Sequence, residues 1–291
     1  MYNKFNIPNS NNLEDTVVEA MSIYGITKNV FNKHKMRIGD NPYLLMLKGE
    51  EIIDINYIDD FNYANRIAKL NVIEEHFTYD ILKLKLNTCM LSDVLSEMGF
   101  NAKNYLLPNF KLNLSTNKLF GRVRPIQIRK LNENENPNDI YKCLDSYDSI
   151  MPGNIIFVNN TIDNKAYFGD LNATIALSKQ AQGTIVNGYT RDIDRINELN
   201  YPLFYTNNTC SDVKLHGTLD YYDKPIKIKG IDIYVNNLIF ADVDGVIIIP
   251  KQVENIIIEK CKKMVISENN IANSIISGCK ISDVINTFGT F

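Results

Sequence analysis

The stretch FGDLNATIALSKQAQGTIVNGYTRDIDRI, residues 168–196, contains two consecutive strand-turn-helix units. In the first unit, Gly169 forms the turn between a strand end and a helix. In the second unit, the apolar run TIV leads through Gly188 to Arg191 and Asp192, where another helix begins. The first N–H groups of a helix have no intrahelical acceptor and lie at the positive end of the helix dipole. Each unit therefore predicts a helix start that can bind a carboxylate or a phosphate.

Arg191 and Asp192 have side chains suited to two chemical tasks. The planar guanidinium of Arg191 can hold a carboxylate or an enolate oxygen, and Asp192 offers hard oxygen ligands for Mg²⁺ or Mn²⁺. A structural interpretation fits equally, in which Asp192 caps its helix and Arg191 pairs with a neighbouring acid. Spacing alone leaves both interpretations open, because short motifs also occur by chance.

Histidines and aspartates elsewhere in the chain are weaker candidates. His216 could be a ligand or a base, but a single histidine near a loop is more often a hydrogen-bonded structural residue. His34 and His76 have no supporting group of residues. Asp242 and Asp244 in FADVDGVIIIP suggest a metal site, although an Asp-Gly turn between two strands explains them at least as well.

The sequence outside residues 168–196 predicts mixed α/β structure. We expect a short helix over residues 13–24 and a hairpin over residues 43–58, where two β-prone runs flank a glycine. Two helices follow, and the second begins at Asn87 or Thr88 and ends at Gly99.

In the second half of the chain, DIYKCLDSYDSI is typical of a helix, and the helix that follows Gly169 is expected to end at Gly183. Several short strands lie between Pro225 and Pro250, and a long amphipathic helix and a short one complete the chain.

Composition excludes several classes of partner. The net charge of -3 and a pI of about 5.7, with scattered Lys and Arg, leave no basic face for nucleic acid. The 5 cysteines are widely spaced without a C-x-x-C pair, which predicts reduced thiols rather than disulfides or a zinc knuckle. We find neither an export-signal pattern nor a bilayer-spanning apolar run, so we expect a cytoplasmic protein without membrane contact.

The order of the motifs resembles that of the RraA-like family. This family contains the regulator of ribonuclease E activity and the class II pyruvate aldolases, which act on 4-hydroxy-4-methyl-2-oxoglutarate and 4-carboxy-4-hydroxy-2-oxoadipate. The motifs are residues 168–196, then YPLFY, GIDIYVNNLIFADVDGVIIIP and the terminal SGCKISDVINTFGTF, preceded by LKLNTCMLSDVLSEMGF. The resemblance implies an α/β fold, a swivelling β/β/α sandwich over residues 81–291. Residues 1–80 would form an amino-terminal extension, an α+β segment of unassigned function.

The resemblance also implies a site and an assembly. The assembly would be a homo-oligomeric ring, a trimer or a multiple of it, with active sites between subunits. Arg191 would hold the keto acid and stabilise its enolate, and Asp192 would ligate Mg²⁺ or Mn²⁺ together with water. Glu268 would be an acid that reaches a neighbouring subunit's site, and it joins Arg191 and Asp170 as a candidate catalytic residue. The backbone amides that would bind the pyruvate carboxylate belong to the turn formed by Gly169, Asp170, Leu171 and Asn172.

The implied function is that of a metal-dependent lyase, an aldolase or decarboxylase. It would cleave a C–C bond in a 2-keto acid or a related hydroxy-polycarboxylate through a pyruvate enolate, and oxaloacetate is an expected substrate. The alternative is a non-catalytic regulator that binds a protein partner such as an RNA-processing enzyme. Two departures bear on the choice: Arg195 stands near a position where the aldolases often have an acid, and Thr190 replaces a small apolar residue.

Overall fold

The structure, a computed structural model, describes residues 24–47, 49–115 and 117–289. The chain divides into two units, Met1–Asn71 and Val72–Phe291. The boundary predicted between residues 80 and 81 falls inside one continuous helix, Ile58–Lys83, and remains a prediction about where family similarity begins.

The described residues form seven α-helices and twelve strands. The helices are α1 Lys28–His34, α2 Ile58–Lys83, α3 Thr88–Glu97, α4 Asp170–Ser178, α5 Ile193–Glu198, α6 Glu254–Ile276 and α7 Ile281–Phe288. The strands are β1 Leu106–Leu107, β2 Lys111–Leu112, β3 Leu119–Lys130, β4 Ile155–Asn160, β5 Ala166–Phe168, β6 Gly183–Thr190, β7 Leu203–Asn208, β8 Gly217–Tyr222, β9 Ile226–Ile228, β10 Ile231–Ile233, β11 Leu238–Asp242 and β12 Gly245–Ile249.

The amino-terminal structural unit, Met1–Asn71, differs from its sequence prediction. The hairpin expected over residues 43–58 is wrong, because Gly49–Ile52 forms a 3-10 turn and the neighbouring described residues form no strand. No residue from Tyr24 to Asn71 whose exposure is described is buried, so the β-prone runs have no core to pack against. The helix predicted over residues 13–24 lies almost entirely outside the described residues.

The sheet of the second unit is built around the long strand β3. Strands β3, β4, β6 and β7 run parallel in that order, so their carboxyl ends share one edge of the sheet. The first half of β3 pairs with β11, which continues antiparallel to β12. Strand β3 therefore joins a parallel region to an antiparallel region, and β9 and β10 form a separate hairpin.

Alternating side chains on these strands fill separate cores. On β4, Ile155 and Phe157 point into a core shared with β11 and β12, whereas Ile156 and Val158 point into a core under α4 and α5. The opposite face of β11 and β12 packs against the end of α2 and against α3 and α6. Strands buried on both faces explain the continuous apolar runs in the sequence. These layers confirm the predicted α/β sandwich.

Most helix boundaries in the second unit follow the sequence prediction. Asn87 caps α3 by accepting a hydrogen bond from the N–H of Met90 at 2.7 Å. The expected end of α4 at Gly183 is wrong, because the helix ends at Ser178 and Gly183 begins β6. A Cβ at Gly183 would lie 2.5 Å from Leu119 Cδ2, so this glycine permits close packing rather than helix termination.

Two further sequence expectations are settled by the same elements. All of DIYKCLDSYDSI except its last residue lies in a helix of the tighter 3-10 type, Pro137–Ser149. The long and the short helix predicted at the end of the chain are α6 and α7. Within the described ranges, no helix combines the length and the apolar content that crossing a bilayer requires.

Candidate active site

The first helix start lies where β5 ends and α4 begins. Gly169 is in extended backbone at the start of α4, and no side chain caps the helix there. Asp170 Oδ1 accepts a hydrogen bond from the N–H of Leu171 at 2.8 Å, so one amide of the turn is already occupied. The side chain of Asn172 points inward and donates to the buried Tyr147 hydroxyl at 3.2 Å. Asn172 therefore anchors the turn to the core, while the Asp170 carboxylate occupies one of the backbone amides of the turn.

The second helix start follows β6 and lies beside the first. The N–H of Arg191 and the Thr190 hydroxyl both donate to the carbonyl of Phe168, at 3.0 and 2.8 Å. Asp192 has a left-handed backbone conformation with φ 57° and ψ 35°, which aspartate tolerates better than most residues. Asp192 occupies the N-cap position of α5, but its side chain makes no capping hydrogen bond, so the carboxylate does not serve as a helix cap.

Arg191 is held by two carboxylates. Its Nε lies 3.3 Å from Asp192 Oδ2, and its Nη1 lies 2.7 Å from Asp212 Oδ2. The interpretation in which Arg191 pairs with a neighbouring acid is thus confirmed. It does not exclude a chemical role, because the side chain remains 36% exposed.

The two helix starts approach each other at Gly169. A Cβ on this residue would lie 2.6 Å from Asp192 Oδ2 and 3.3 Å from Arg191 Cγ and Nε. Only glycine leaves the Asp192 carboxylate and the Arg191 side chain where they stand. The two helix starts formed by residues 168–196 therefore lie side by side in the fold.

A depression of about 550 Å³ opens beside the second helix start. Four carboxylates and two guanidinium groups line it or contact its arginines. The acidic residues are Asp170, Asp192, Asp194 and Asp212, and the basic residues are Arg191 and Arg195. The local excess of negative charge is of the kind that a divalent cation offsets.

The described ranges contain no group of three or more His, Cys, Asp or Glu side chains that could hold a metal ion. Asp192, 37% exposed and facing Gly169, is the carboxylate placed to act as a single protein ligand. Mg²⁺ commonly keeps several waters and takes only one or two carboxylates. The donor set therefore fits a hydrated Mg²⁺ or Mn²⁺ and does not fit a cage made wholly of protein ligands.

The structure does not bring every candidate residue to this site. Glu268 is exposed on α6, a helix that packs against α3 and belongs to a different core from α4 and α5. His216 is exposed in the loop before β8, and His34 pairs with Asp40 at 3.0 Å. Within one chain, the described carboxylates nearest to Arg191 are therefore aspartates.

Asp242 has a structural role. It is buried, and its two carboxylate oxygens accept hydrogen bonds from the N–H of Thr88 at 2.9 Å and from the Thr88 hydroxyl at 2.6 Å. It also accepts from the N–H of Asp244 at 3.0 Å. Asp242 thus ties the start of α3 to the turn after β11, which favours the structural interpretation of FADVDG.

Four residues at the end of β7 and in the loop that follows it carry no local signal in the sequence. Asn208, Thr209 and Cys210 line the depression, and Asp212 contacts Arg191. No motif marks them. The available signal was topological, since β6 and β7 are parallel neighbours and the loops after their carboxyl ends must meet.

Residues 88–248 match the family described as RraA-like, Aldolase/RraA. Protein DlpA of Legionella pneumophila is 27% identical over 74% of this chain and 34% of its own length. A Halalkalibacterium halodurans protein named "Putative 4-hydroxy-4-methyl-2-oxoglutarate aldolase" is 34% identical over 38% of this chain and 53% of its own length. The chain thus spans about a third and about half of these two relatives.

Solved structures show the same fold. A Pseudomonas syringae protein of uncharacterised function superposes with a TM-score of 0.60 and 24% identity, covering 71% of this chain and 96% of that one. Streptomyces coelicolor RraAS2, described as an unusual member of the RNase ES inhibitor RraA family, gives a TM-score of 0.56 and 22% identity. This match covers 65% of this chain and 93% of RraAS2. At these identities the similarity establishes the architecture alone.

Proposed function

Because this chain belongs to the RraA-like (Aldolase/RraA) family, we propose that it is a divalent-metal-dependent carbon-carbon lyase. Its substrate would be a 2-keto acid or a related hydroxy-polycarboxylate, cleaved through a pyruvate enolate. The observation that carries this proposal is the contact between the two helix starts, where Arg191 and Asp192 stand against Gly169. The name of the Halalkalibacterium halodurans relative supports the same substrate class.

Arg191 would supply the fixed positive charge in this reaction. Its Nε and Nη1 are engaged by Asp192 and Asp212, which leaves the remaining N–H groups of the guanidinium for the substrate. Negative charge develops on the keto oxygen as the C–C bond breaks, and a preoriented guanidinium stabilises that charge. A divalent cation held by Asp192 and water would act as a Lewis acid toward the same oxygen.

The turn at the start of α4 would bind the substrate carboxylate through its backbone amides. Asp170 now occupies the amide of Leu171, so the substrate can use that amide only after the Asp170 side chain rotates away. Asp170 Oδ2 already lies 3.9 Å from Arg195 Nη1, so Arg195 is a cationic partner toward which the carboxylate can rotate. In that position Asp170 could accept or return a proton through water during enolate protonation.

A homo-oligomer, a cytoplasmic trimer or a multiple of it, is part of the proposal. Glu268 lies on a helix that packs away from its own Arg191, so it can contribute only to a neighbouring subunit's site. Glu268→Gln should then reduce turnover without changing the oligomer. Mixing it with an Arg191→Ala variant should restore activity in part, because some mixed sites are intact.

The central test uses metal-loaded protein and a panel of 2-keto acids. Mg²⁺ or Mn²⁺ should support pyruvate release from oxaloacetate or from a 4-hydroxy-2-oxo acid, and Arg191→Ala should abolish it without altering the thermal unfolding midpoint. Arg129→Ala is the matched control, since Arg129 is also ion-paired at 2.7 Å and is 34% exposed. Protein that neither turns over the panel nor binds pyruvate or oxalate would rule out the lyase.

The rival function is a non-catalytic regulator that binds a protein such as an RNA-processing enzyme. The described part of the first unit favours an interaction surface, because Tyr43 is 90% exposed, Leu45 73% and Tyr57 78%. A regulator should keep its partner binding in the Arg191→Ala variant and lose it when these three residues are replaced by serine. A lyase should instead lose turnover in the Arg191→Ala variant and keep turnover when these three residues are replaced by serine.

A further inference from the structure

The guanidinium of Arg191 is held at two of its three nitrogens. Asp192 approaches its Nε at 3.3 Å and Asp212 approaches its Nη1 at 2.7 Å. Arginine has a long side chain with large rotamer freedom, and an isolated arginine at 36% exposure would sample many orientations. Asp192 is adjacent in sequence and moves with Arg191. Asp212 is the contact that fixes the guanidinium relative to another part of the fold.

Asp212 is itself held in place by the backbone. Its Oδ1 accepts a hydrogen bond from the N–H of Lys214 at 2.7 Å, which leaves Oδ2 directed at Arg191. Asp212 also forms a parallel bridge with Ala166, the first residue of β5. The N–H of Ala166 donates to the carbonyl of Ser211 at 2.8 Å, and the N–H of Val213 donates to the carbonyl of Ala166 at 3.1 Å.

This bridge connects Asp212 to the first helix start. Strand β5 runs from Ala166 through Phe168 directly into Gly169 and α4. Arg191 donates its own N–H to the carbonyl of Phe168. The carboxylate that orients the guanidinium is thus attached to the same short strand that presents the carboxylate-binding turn, which couples the two halves of the site.

We propose that Asp212 is a positioning residue for Arg191, an inference that rests on the proposed lyase function. Asp212 holds Nη1 so that the guanidinium, which lines the depression, keeps a fixed orientation relative to the turn at Gly169. Asp212 does not contact the substrate. Its contribution is to remove rotamer freedom from Arg191 before the substrate binds, which favours the reaction because the charge is already oriented.

The test compares Asp212→Asn and Asp212→Glu in the full, Mg²⁺-loaded chain. Asp232→Asn is the control, since Asp232 is 49% exposed against 45% for Asp212 and pairs with a lysine away from the site. Asp212→Asn should lower kcat for oxaloacetate decarboxylation by up to roughly 100-fold with a smaller change in KM. Asp212→Glu, which keeps the charge, should recover part of kcat, and all three variants should unfold at the wild-type temperature.

A second measurement separates this inference from the proposed function. The order parameter of the Arg191 Nε–H bond, measured by ¹⁵N relaxation, should fall in Asp212→Asn and stay high in Asp232→Asn. An order parameter that is unchanged in Asp212→Asn overturns the positioning role, whatever the turnover of that variant. If Asp212→Asn binds oxalate more tightly and has wild-type turnover, then Asp212 competes with the ligand for Arg191. That result also overturns the inference. If the wild-type protein has an ordered Arg191 but does not bind oxalate, the proposed lyase function fails, whereas the positioning role of Asp212 is not contradicted.

Discussion

Replacing Gly169 by alanine should damage the candidate site while sparing the fold. The added methyl carbon would lie 2.6 Å from Asp192 Oδ2 and 3.3 Å from Arg191 Cγ and Nε. Gly169 has extended backbone with φ −144°, which alanine adopts without strain. The clash therefore falls on the two side chains proposed to act in the reaction, and it falls on neither the backbone nor the core.

The size of the effect follows from the displacement required. Ordinary van der Waals contact begins near 3.4 Å, so the Asp192 carboxylate must retreat by about 0.8 Å, and Arg191 must move with it. A misplacement of about 1 Å in a catalytic group costs roughly 100-fold in rate. We expect kcat/KM to fall by that factor, which corresponds to about 2.7 kcal/mol of transition-state stabilisation. The free energy of unfolding should change by less than about 1 kcal/mol.

Two assays on the same variant check this prediction. Pyruvate release from oxaloacetate, coupled to NADH oxidation by lactate dehydrogenase, gives kcat/KM, and urea denaturation gives the free energy of unfolding. Gly25→Ala is the control, since a Cβ at Gly25 would meet nothing within 4 Å. If Gly169→Ala retains wild-type kcat/KM and wild-type oxalate affinity, the contact between the two helix starts is not the site of the reaction.

Three further perturbations have defined outcomes. Arg195 is 74% exposed beside the depression, so Arg195→Ala should raise KM for dianionic oxaloacetate by roughly tenfold and leave pyruvate affinity unchanged; an unchanged KM would remove Arg195 from substrate selection. Burial by itself raises the pKa of Glu75, but hydrogen bonds from Arg122 and a tyrosine outweigh it and hold that pKa below the ordinary 4.5. Stability from this carboxylate is complete above pH 4.5 and is lost as pH falls below 4.5 toward the lowered pKa. Glu75→Gln should therefore reduce the pH dependence of the urea-derived free energy of unfolding below pH 4.5, and a slope there equal to that of the wild type would contradict this. Burial also raises the pKa of the Cys143 thiol to about 12, whereas Cys210 is exposed at the depression. A maleimide at pH 8 should therefore modify Cys210 and spare Cys143 by mass spectrometry, and should block oxalate binding except in Cys210→Ser.

The two helix starts can be located from the sequence because their signals are local. Gly169, Arg191 and Asp192 each follow an apolar strand, and the order of the surrounding motifs identified the family that residues 88–248 match. Where only local propensity was available, the predictions of structure were less accurate. The β-prone runs over residues 43–58 form no hairpin, since strands need a partner and a core to cover them.

The sequence by itself determined that this protein has an α/β architecture and that a guanidinium and a carboxylate stand at a helix start. It could not decide how these groups are oriented. The left-handed conformation of Asp192 and the ion pair between Arg191 and Asp212 depend on strands β5, β6 and β7 lying side by side. Contacts between residues far apart in the chain form only when long-range strand pairing brings their loops together, and no local pattern in the sequence encodes that pairing.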